Sequence, residues 1–190
     1  MITFRRPCPK TLARFLAQQQ EQPVSYSQVE MTRGTVPSQF TPDHTRRALG
    51  IGDHVYQRAC DAIRLWTPIA QPWIQLTPAD VPPAIGNVVA ITARIGICWW
   101  TNACRVLYIV SDEPPTRRFG FAYGTLADHA ECGEERFMVE QTADGQVWYD
   151  VLAYSRPRHL LARLGYPMTR MYQKRFARGS AEAMVAFAQK

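Results

Sequence analysis

Hydrophobic residues occupy every second position along much of the middle of the chain, which is the spacing of half-buried β-strands. The first such run follows Asn87 and contains Val89, Ile91, Ala93, Ile95 and Ile97. Four more runs follow, CRVLYIV, RFGFAYGT, EERFMVE and QVWYDVLAY, and the turn-forming segments SDEPPTR, LADHAECG and TADG separate them. Because short links join successive strands, the pattern predicts an antiparallel five-stranded meander.

A helical spacing of apolar residues appears on both sides of this meander. After Pro9, the segment TLARFLAQQQEQ places its apolar residues on one face, and a second helix is predicted over 54–66 with Asp53 as its cap. After Pro157 the chain is predicted to be helical to its end, with a break at 165–167. Six residues of this last segment share one apolar arc: Leu160, Leu161, Leu164, Met168, Met171 and Tyr172.

The remaining segments carry weaker signals. VSYSQVEM, residues 24–31, is interpreted as a strand, and TRGTVPSQFTPDHT, residues 32–45, as a polar connection. Five prolines between Trp66 and Gly86 indicate a loop with one short strand over 73–76, because proline removes backbone donors that a central strand needs.

Together these elements predict an α+β fold of one domain over 1–190, a curved antiparallel sheet wrapped around a long C-terminal helix. A single sheet must bury one face, and the last helix is the only predicted element long enough to cover it. A curved sheet and a straight helix do not match along their whole length. We therefore expect a hollow between them.

Composition narrows the class of protein. The chain has 190 residues, of which 46% are hydrophobic and 20% charged, as in ordinary globular proteins. No apolar run has the roughly 20 residues of a membrane span, and the start MITFRRPCPK lacks a secretory signal. We expect a cytoplasmic protein without a cofactor. The five cysteines form no CxxC pair, which favours reduced thiols over disulfides or a metal site.

The net charge of +6 is concentrated near the C-terminus. Between Asp150 and Glu182 there is no acidic residue, and seven basic ones occur: Arg156, Arg158, Arg163, Arg170, Lys174, Arg175 and Arg178. Such a cluster permits contact with nucleic acid or an anionic membrane. The spacing is equally typical of the solvated face of a packed helix, which we favour.

One segment identifies a family resemblance. FGFAYGTLADHAECGEERF, followed by VWYDVLAYSRP and LARLGYP, resembles uncharacterised protein family 0548, which has bacterial and plant members. The resemblance extends over nearly the whole chain, and the motif YGTLxxHxxxGEExF is long. It implies a START-like helix-grip fold, in agreement with the element order above. It implies no established activity, cofactor or catalytic residue.

Strand alternation selects a candidate site within this motif. Phe121, Tyr123 and Thr125 share one face of their strand, and Glu135 shares a face with the apolar residues that follow it. A buried carboxylate without a partner is costly, so an arginine is expected beside Glu135. The candidates for this arginine are Arg105, Arg156 and Arg175, while Tyr123 and His129 could supply hydrogen bonds.

Each candidate also has a purely structural explanation. Glu135 could form an ion pair that only holds the strand register, His129 could be a solvated loop residue, and Tyr123 could be an ordinary core residue. The predicted ligand-binding residues are Tyr123, Thr125, His129, Glu135, Arg105, Trp148 and Arg175, with an apolar wall of Phe121, Trp148, Leu152, Met168 and Met171.

Three functions remain open. The favoured one is binding of a small apolar or lipid-like molecule in the hollow. The alternative is an enzyme in the same hollow, with Tyr123, His129 and Glu135 as acid–base groups. Binding of nucleic acid or an anionic membrane is the least favoured, because no recognition motif accompanies the basic cluster.

Overall fold

One antiparallel sheet dominates the computed structural model, which describes residues 1–34, 40–158 and 165–190. Its eight strands are β1 (Ile2–Thr3), β2 (Thr41–Ile51), β3 (Ile74–Thr77), β4 (Val88–Ile95), β5 (Cys98–Asp112), β6 (Arg117–Thr125), β7 (Glu131–Gln141) and β8 (Gln146–Pro157). The described helices are α1 (Pro9–Gln19), α2 (Asp53–Arg64) and α3 (Tyr166–Ala188), and a 3₁₀ turn spans Met31–Arg33.

The strands follow the order β2-β8-β7-β6-β5-β4-β3, with β1 paired to β5. The predicted meander is therefore confirmed as β4 to β8, since each of these strands pairs antiparallel with the next. The pairing register places Phe121 opposite Phe137, and Tyr123 opposite Glu135. The predicted α+β fold with a curved sheet and a C-terminal helix is confirmed.

The main core lies between the sheet and two helices rather than one. The predicted apolar stripe of α2 is buried at Ala59, Ile63 and the following Trp66. The Trp66 ring packs edge-on against Phe121, which stacks on Phe137 with 5.3 Å between ring centres. The expectation that the last helix alone covers the sheet is therefore wrong, because α2 fills one half of the covered face.

Helix α3 packs on the sheet through its C-terminal part. Ala181, Met184 and Ala188 join the main core, and Tyr149 of β8 shares a 2.6 Å hydrogen bond with Ser180. The predicted apolar arc lies nearer the N-terminus of α3, where the side chains of Met168 and Met171 are about half exposed. Their burial was predicted wrongly, because this part of α3 is not packed on the core; Leu160, Leu161 and Leu164 lie outside the described residues.

Helix α1 is confirmed, and it packs on the opposite face of the sheet. Phe15 contacts a small cluster formed by Val88, Ala90 and Ala103 of β4 and β5. At the start of α2, Gly52 and not Asp53 holds the N-cap position, and Asp53 is the first helical residue.

Two predictions around the second strand are wrong. Residues 24–31 form no strand: Val24 makes an isolated bridge with Leu126, and Met31 begins the 3₁₀ turn. Strand β2 occupies part of the segment expected to be a connection. Strand β2 lacks an apolar alternation. It pairs along its length with β8, and its side chains form ion pairs with residues distant in sequence, such as Arg46 with Glu140 at 2.5 Å.

Candidate functional site

A cavity of about 800 Å³ lies between the sheet and α3. Helix α2 and the C-terminal part of α3 fill the other half of the covered face, so the space remains beside the N-terminal part of α3. Most of its wall is apolar, and it includes Trp73, Ile91, Trp100, Val151, Tyr172 and Phe176. Polar side chains gather on β6, β7 and the loop between them: Tyr123, Thr125, His129, Glu131 and Glu135.

Tyr123 and Glu135 form the central polar contact of this cavity. They stand directly opposite each other on β6 and β7, and strand alternation turns both side chains to the same face. The Tyr123 hydroxyl donates a hydrogen bond of 2.7 Å to Oε2 of Glu135. The other carboxylate oxygen, Oε1, accepts no hydrogen bond from the described part of the chain.

Burial changes the proton affinity of both groups. It raises the pKa of Glu135 to about 7, and the negative charges of Glu131 and Asp43 act in the same direction, whereas the hydrogen bond from Tyr123 opposes them. Burial also raises the pKa of Tyr123 well above its ordinary value. At neutral pH the tyrosine is therefore a neutral donor, while Glu135 exchanges between its protonated and ionised forms.

The expected arginine partner of Glu135 is absent among the residues that the structure describes. Arg105 donates a hydrogen bond of 2.5 Å to the backbone oxygen of Gln20. The guanidinium carbon of Arg175 lies 4.7 Å from the ring centre of Trp73, and that of Arg156 lies 5.1 Å from the ring centre of Phe40. The prediction of an ion pair at Glu135 is therefore wrong for these three arginines, and Arg105 and Arg175 do not line the cavity.

Thr125 lines the cavity, but its hydroxyl is occupied by the protein. Its Oγ1 accepts a 3.0 Å hydrogen bond from the backbone nitrogen of Gly133 and lies 2.5 Å from Oγ of Ser25. These contacts close the β6–β7 connection and hold the segment around Ser25 against it. Thr125 thus shapes the end of the cavity.

His129 lines the same end of the cavity as a neutral side chain. Its Nδ1 accepts a 2.9 Å hydrogen bond from the backbone nitrogen of Glu131, which leaves the proton on Nε2. Burial lowers the pKa of His129 to about 4. No hydrogen bond joins it to Tyr123 or Glu135 within the described segments, so only two of the three predicted acid–base groups meet.

The cavity contains a second carboxylate, Glu131, which was not predicted from the sequence. It begins β7 and faces the cavity together with Glu135, because residues 131, 133 and 135 share one face of the strand. Its Oε1 accepts a 2.7 Å hydrogen bond from Gln173 of α3, and burial raises its pKa. The same alternation that selected Glu135 could have identified Glu131.

Part of the predicted apolar wall lies elsewhere. Trp148 projects from the opposite face of the sheet, where the guanidinium carbon of Arg46 lies 5.0 Å from its ring centre. Leu152 packs into a separate cluster with Met31 and Tyr154, and Phe121 belongs to the filled core. Of the five residues predicted for the wall, only Met168 lines the cavity.

The basic cluster is engaged in contacts within the protein at several positions. Arg170 binds Asp43 of β2, with 2.7 Å between Nη2 and Oδ1, and Arg158 donates to the backbone oxygen of Ala127. Lys174 and Arg178 lie at the border of the cavity, while Arg163 lies outside the described residues. The contact with Asp43 neutralises one positive charge of the cluster, and the contact with Ala127 directs another towards the protein.

The described segments contain neither a cluster typical of a metal site nor a helix typical of a membrane span. No group of three or more His, Cys, Asp and Glu side chains there has the arrangement of a metal site. No described helix combines the length and apolar content needed to cross a membrane.

Comparison with known sequences finds a family model and relatives that match most of the chain. The model of a family described as "Domain of unknown function (DUF1990)" matches residues 25–183. A UPF0548 protein of Dictyostelium discoideum is 30% identical over 204 residues, covering 97% of this chain and 94% of that protein. A UPF0548 protein of Arabidopsis thaliana is 34% identical over 151 residues, covering 77% of this chain and 72% of that protein.

Comparison with solved structures shows the fold alone. The hypothetical protein jhp0584 from Helicobacter pylori matches with a TM-score of 0.53 and 10% identity, over 85% of this chain and 95% of that one. The crystal structure of Ara h 8.0201 matches with a TM-score of 0.50 and 12% identity, over 79% of this chain and 98% of that one. Both matches agree with the helix-grip arrangement of sheet and helix.

Proposed function

The chain belongs to the DUF1990 family, and from this premise we propose that it binds a small apolar or lipid-like molecule in the cavity between the sheet and α3. The observation that carries the proposal is the cavity itself. Its volume of about 800 Å³ lies within the range of roughly 300 to 1,000 Å³ that is typical of small-molecule sites. An apolar wall with a few polar groups at one end is also the usual composition of such sites.

The distribution of polar groups supports a bound molecule with a defined orientation. Glu135 and Tyr123 lie at one end, whereas Ile91, Trp100 and Phe176 provide apolar surface. Apolar surface of this kind is stabilised by about 25 cal/mol for each Å² that a ligand removes from water. The ligand thus gains most of its affinity from the wall and its orientation from the polar end.

A cavity-filling substitution tests the proposal. Ala153 of β8 lines the cavity and pairs with Glu135 across the sheet, so Ala153→Phe places a ring in the space. Ala48→Phe is the matched control, because Ala48 is an exposed strand residue outside the cavity wall. Thermal-shift and native mass spectrometry screens against lipids and aromatic metabolites should detect ligands for the wild type and for Ala48→Phe, and weaker or no binding for Ala153→Phe.

The result that would overturn the proposal is equal binding by all three proteins, since the ligand would then occupy another surface. A second contrary result is the absence of any hit in a screen that spans these compound classes.

A specific observation favours an enzyme as the second candidate. The 2.7 Å contact between Tyr123 and Glu135 joins a neutral donor to a carboxyl group whose pKa is about 7. A group with a pKa near the working pH is effective in general acid–base catalysis. If a bound compound is converted, mass spectrometry should show its product with the wild type and a strongly reduced rate with Glu135→Gln. Unchanged compound after long incubation would reject this candidate.

A further inference from the structure

Glu135 is a half-buried carboxylate with an unused hydrogen-bonding position that faces the cavity. Its Oε2 accepts from Tyr123, and its Oε1 has no donor within the described residues. A carboxylate oxygen in such surroundings costs free energy unless a donor or a cation reaches it. Oε1 is thus open to a donor or a cation carried by a ligand that enters the cavity.

The charges around Glu135 favour a positive group at this position. The two charged side chains that act on it most are Glu131 and Asp43, and both are negative. Arg170 is held by Asp43. Four more cations line the cavity, and within the described residues none of them forms an ion pair with Glu135: Arg46, Arg47, Lys174 and Arg178. Among the described residues, the Glu135 carboxylate thus has two negative neighbours and no cation paired with it.

The wall beside this end suits a flat or extended apolar body. Trp100 and Phe176 line the cavity, and Trp73 and Tyr172 pack on each other with 5.6 Å between ring centres. Aromatic faces attract cations as well as apolar groups. A ligand that carried a carboxylate instead would meet Glu131 and Glu135 as like charges.

From this geometry we infer that the ligand is an apolar amine: its ammonium group binds Oε1 of Glu135, and its apolar body lies along the aromatic wall. The inference rests on the proposed function and names its ligand class. Glu135 serves as the direct partner of the ammonium group. Glu131 adds attraction from a distance, because residues four apart on a strand are separated by roughly 13 Å between Cα atoms.

Matched compounds with different head groups test the inference. The probes are naphthylethyl, indolylethyl and decyl bodies, each carrying an amine, a hydroxyl or a carboxylate, titrated into the full chain by calorimetry at neutral pH. For a given body, the amine should bind roughly tenfold or more tightly than the alcohol, as expected for a charge pair in a partly desolvated site. The carboxylate should bind most weakly.

Two substitutions separate charge from shape. Glu135→Gln keeps an oxygen that accepts from Tyr123 but removes the charge, so the affinity for the amine should fall to within about threefold of that for the alcohol. Affinity for the alcohol should be unchanged. Glu113→Gln is the matched control, since it removes the same charge at an exposed turn and should leave the order of affinities as in the wild type.

The possible outcomes distinguish the inference from the proposal on which it rests. If the alcohols or carboxylates bind as tightly as the amines, the inference is wrong, although a ligand-binding cavity remains supported. If amines are preferred but Glu135→Gln keeps the preference, Glu135 is not the partner and the inference is also wrong. If no compound of any head group binds, the proposed function fails together with the inference.

Discussion

Replacing Glu135 with glutamine should stabilise the protein at neutral and alkaline pH and have little effect at acidic pH. Burial raises the pKa of this carboxyl from 4.5 to about 7, so the folded state holds its proton more tightly than the unfolded state. The stabilisation from that proton is complete below pH 4.5, and it is lost as the pH rises to 7. Each tenfold change in proton affinity is worth about 1.4 kcal/mol, which gives a total of about 3 kcal/mol.

Glutamine removes this dependence because it has no proton to lose, and its amide oxygen still accepts from Tyr123. Urea unfolding followed by tryptophan fluorescence should therefore be measured for both proteins from acidic to mildly alkaline pH. Relative to Glu135→Gln, the wild type should lose about 3 kcal/mol of unfolding free energy across this interval. His129 also titrates at low pH, but it is present in both proteins, so its contribution cancels in the difference.

A constant difference between the two proteins across the pH series would refute this reasoning. It would mean that Glu135 has the same proton affinity in the folded and unfolded states. The carboxyl would then be solvated or paired with a cation.

Three further substitutions have defined outcomes in the same unfolding assay. Tyr123→Phe removes the hydrogen bond that lowers the pKa of Glu135, so the upper end of the interval over which stability is lost should move above pH 7, and an unmoved upper end would contradict the contact. His129→Asn keeps an acceptor for the neighbouring backbone but cannot titrate. Burial lowers the pKa of His129 from 6.5 to about 4. Relative to the variant, the wild type should therefore lose about 3 kcal/mol of unfolding free energy as the pH falls through this interval, and an equal pH dependence of the two proteins would argue against a neutral histidine at this position. Gly133→Ala would place its Cβ 1.9 Å from the backbone oxygen of Tyr154; it should cost roughly 3 kcal/mol or prevent folding. Gly34→Ala, the control, meets nothing within 4 Å and should change the unfolding free energy by less than about 0.5 kcal/mol; similar stability of the two glycine variants would show that β7 and β8 do not pair this closely.

The alternation of apolar residues along the chain was sufficient to predict most strands of the sheet. Strands β4 to β8 carry apolar residues at alternate positions, and the side-chain direction along a strand follows from the backbone alone. Strand β2 was missed because it has no such pattern. Its pairing with β8 and its ion pair between Arg46 and Glu140 depend on residues about a hundred positions away.

Strand β8 shows why the wall of the cavity was only partly predicted. Apolar residues stand at both parities, with Val147, Tyr149 and Val151 on one face and Trp148 and Leu152 on the other. Alternation alone does not say which set faces α3. The structure places the first set inside, so Trp148 and Leu152 lie on the opposite face of the sheet.

The amino-acid sequence by itself determined that Tyr123, Thr125 and Glu135 would share a covered face, because strand geometry relates neighbours within a few residues. Tertiary structure decided that the space before them is open, since this depends on where α2 and α3 pack. It also decided that Arg105 and Arg175 lie elsewhere and that Glu135 meets a tyrosine instead of a cation. Long arginine side chains bind whatever partner the folded chain brings within reach, and that partner is set by contacts distant in sequence.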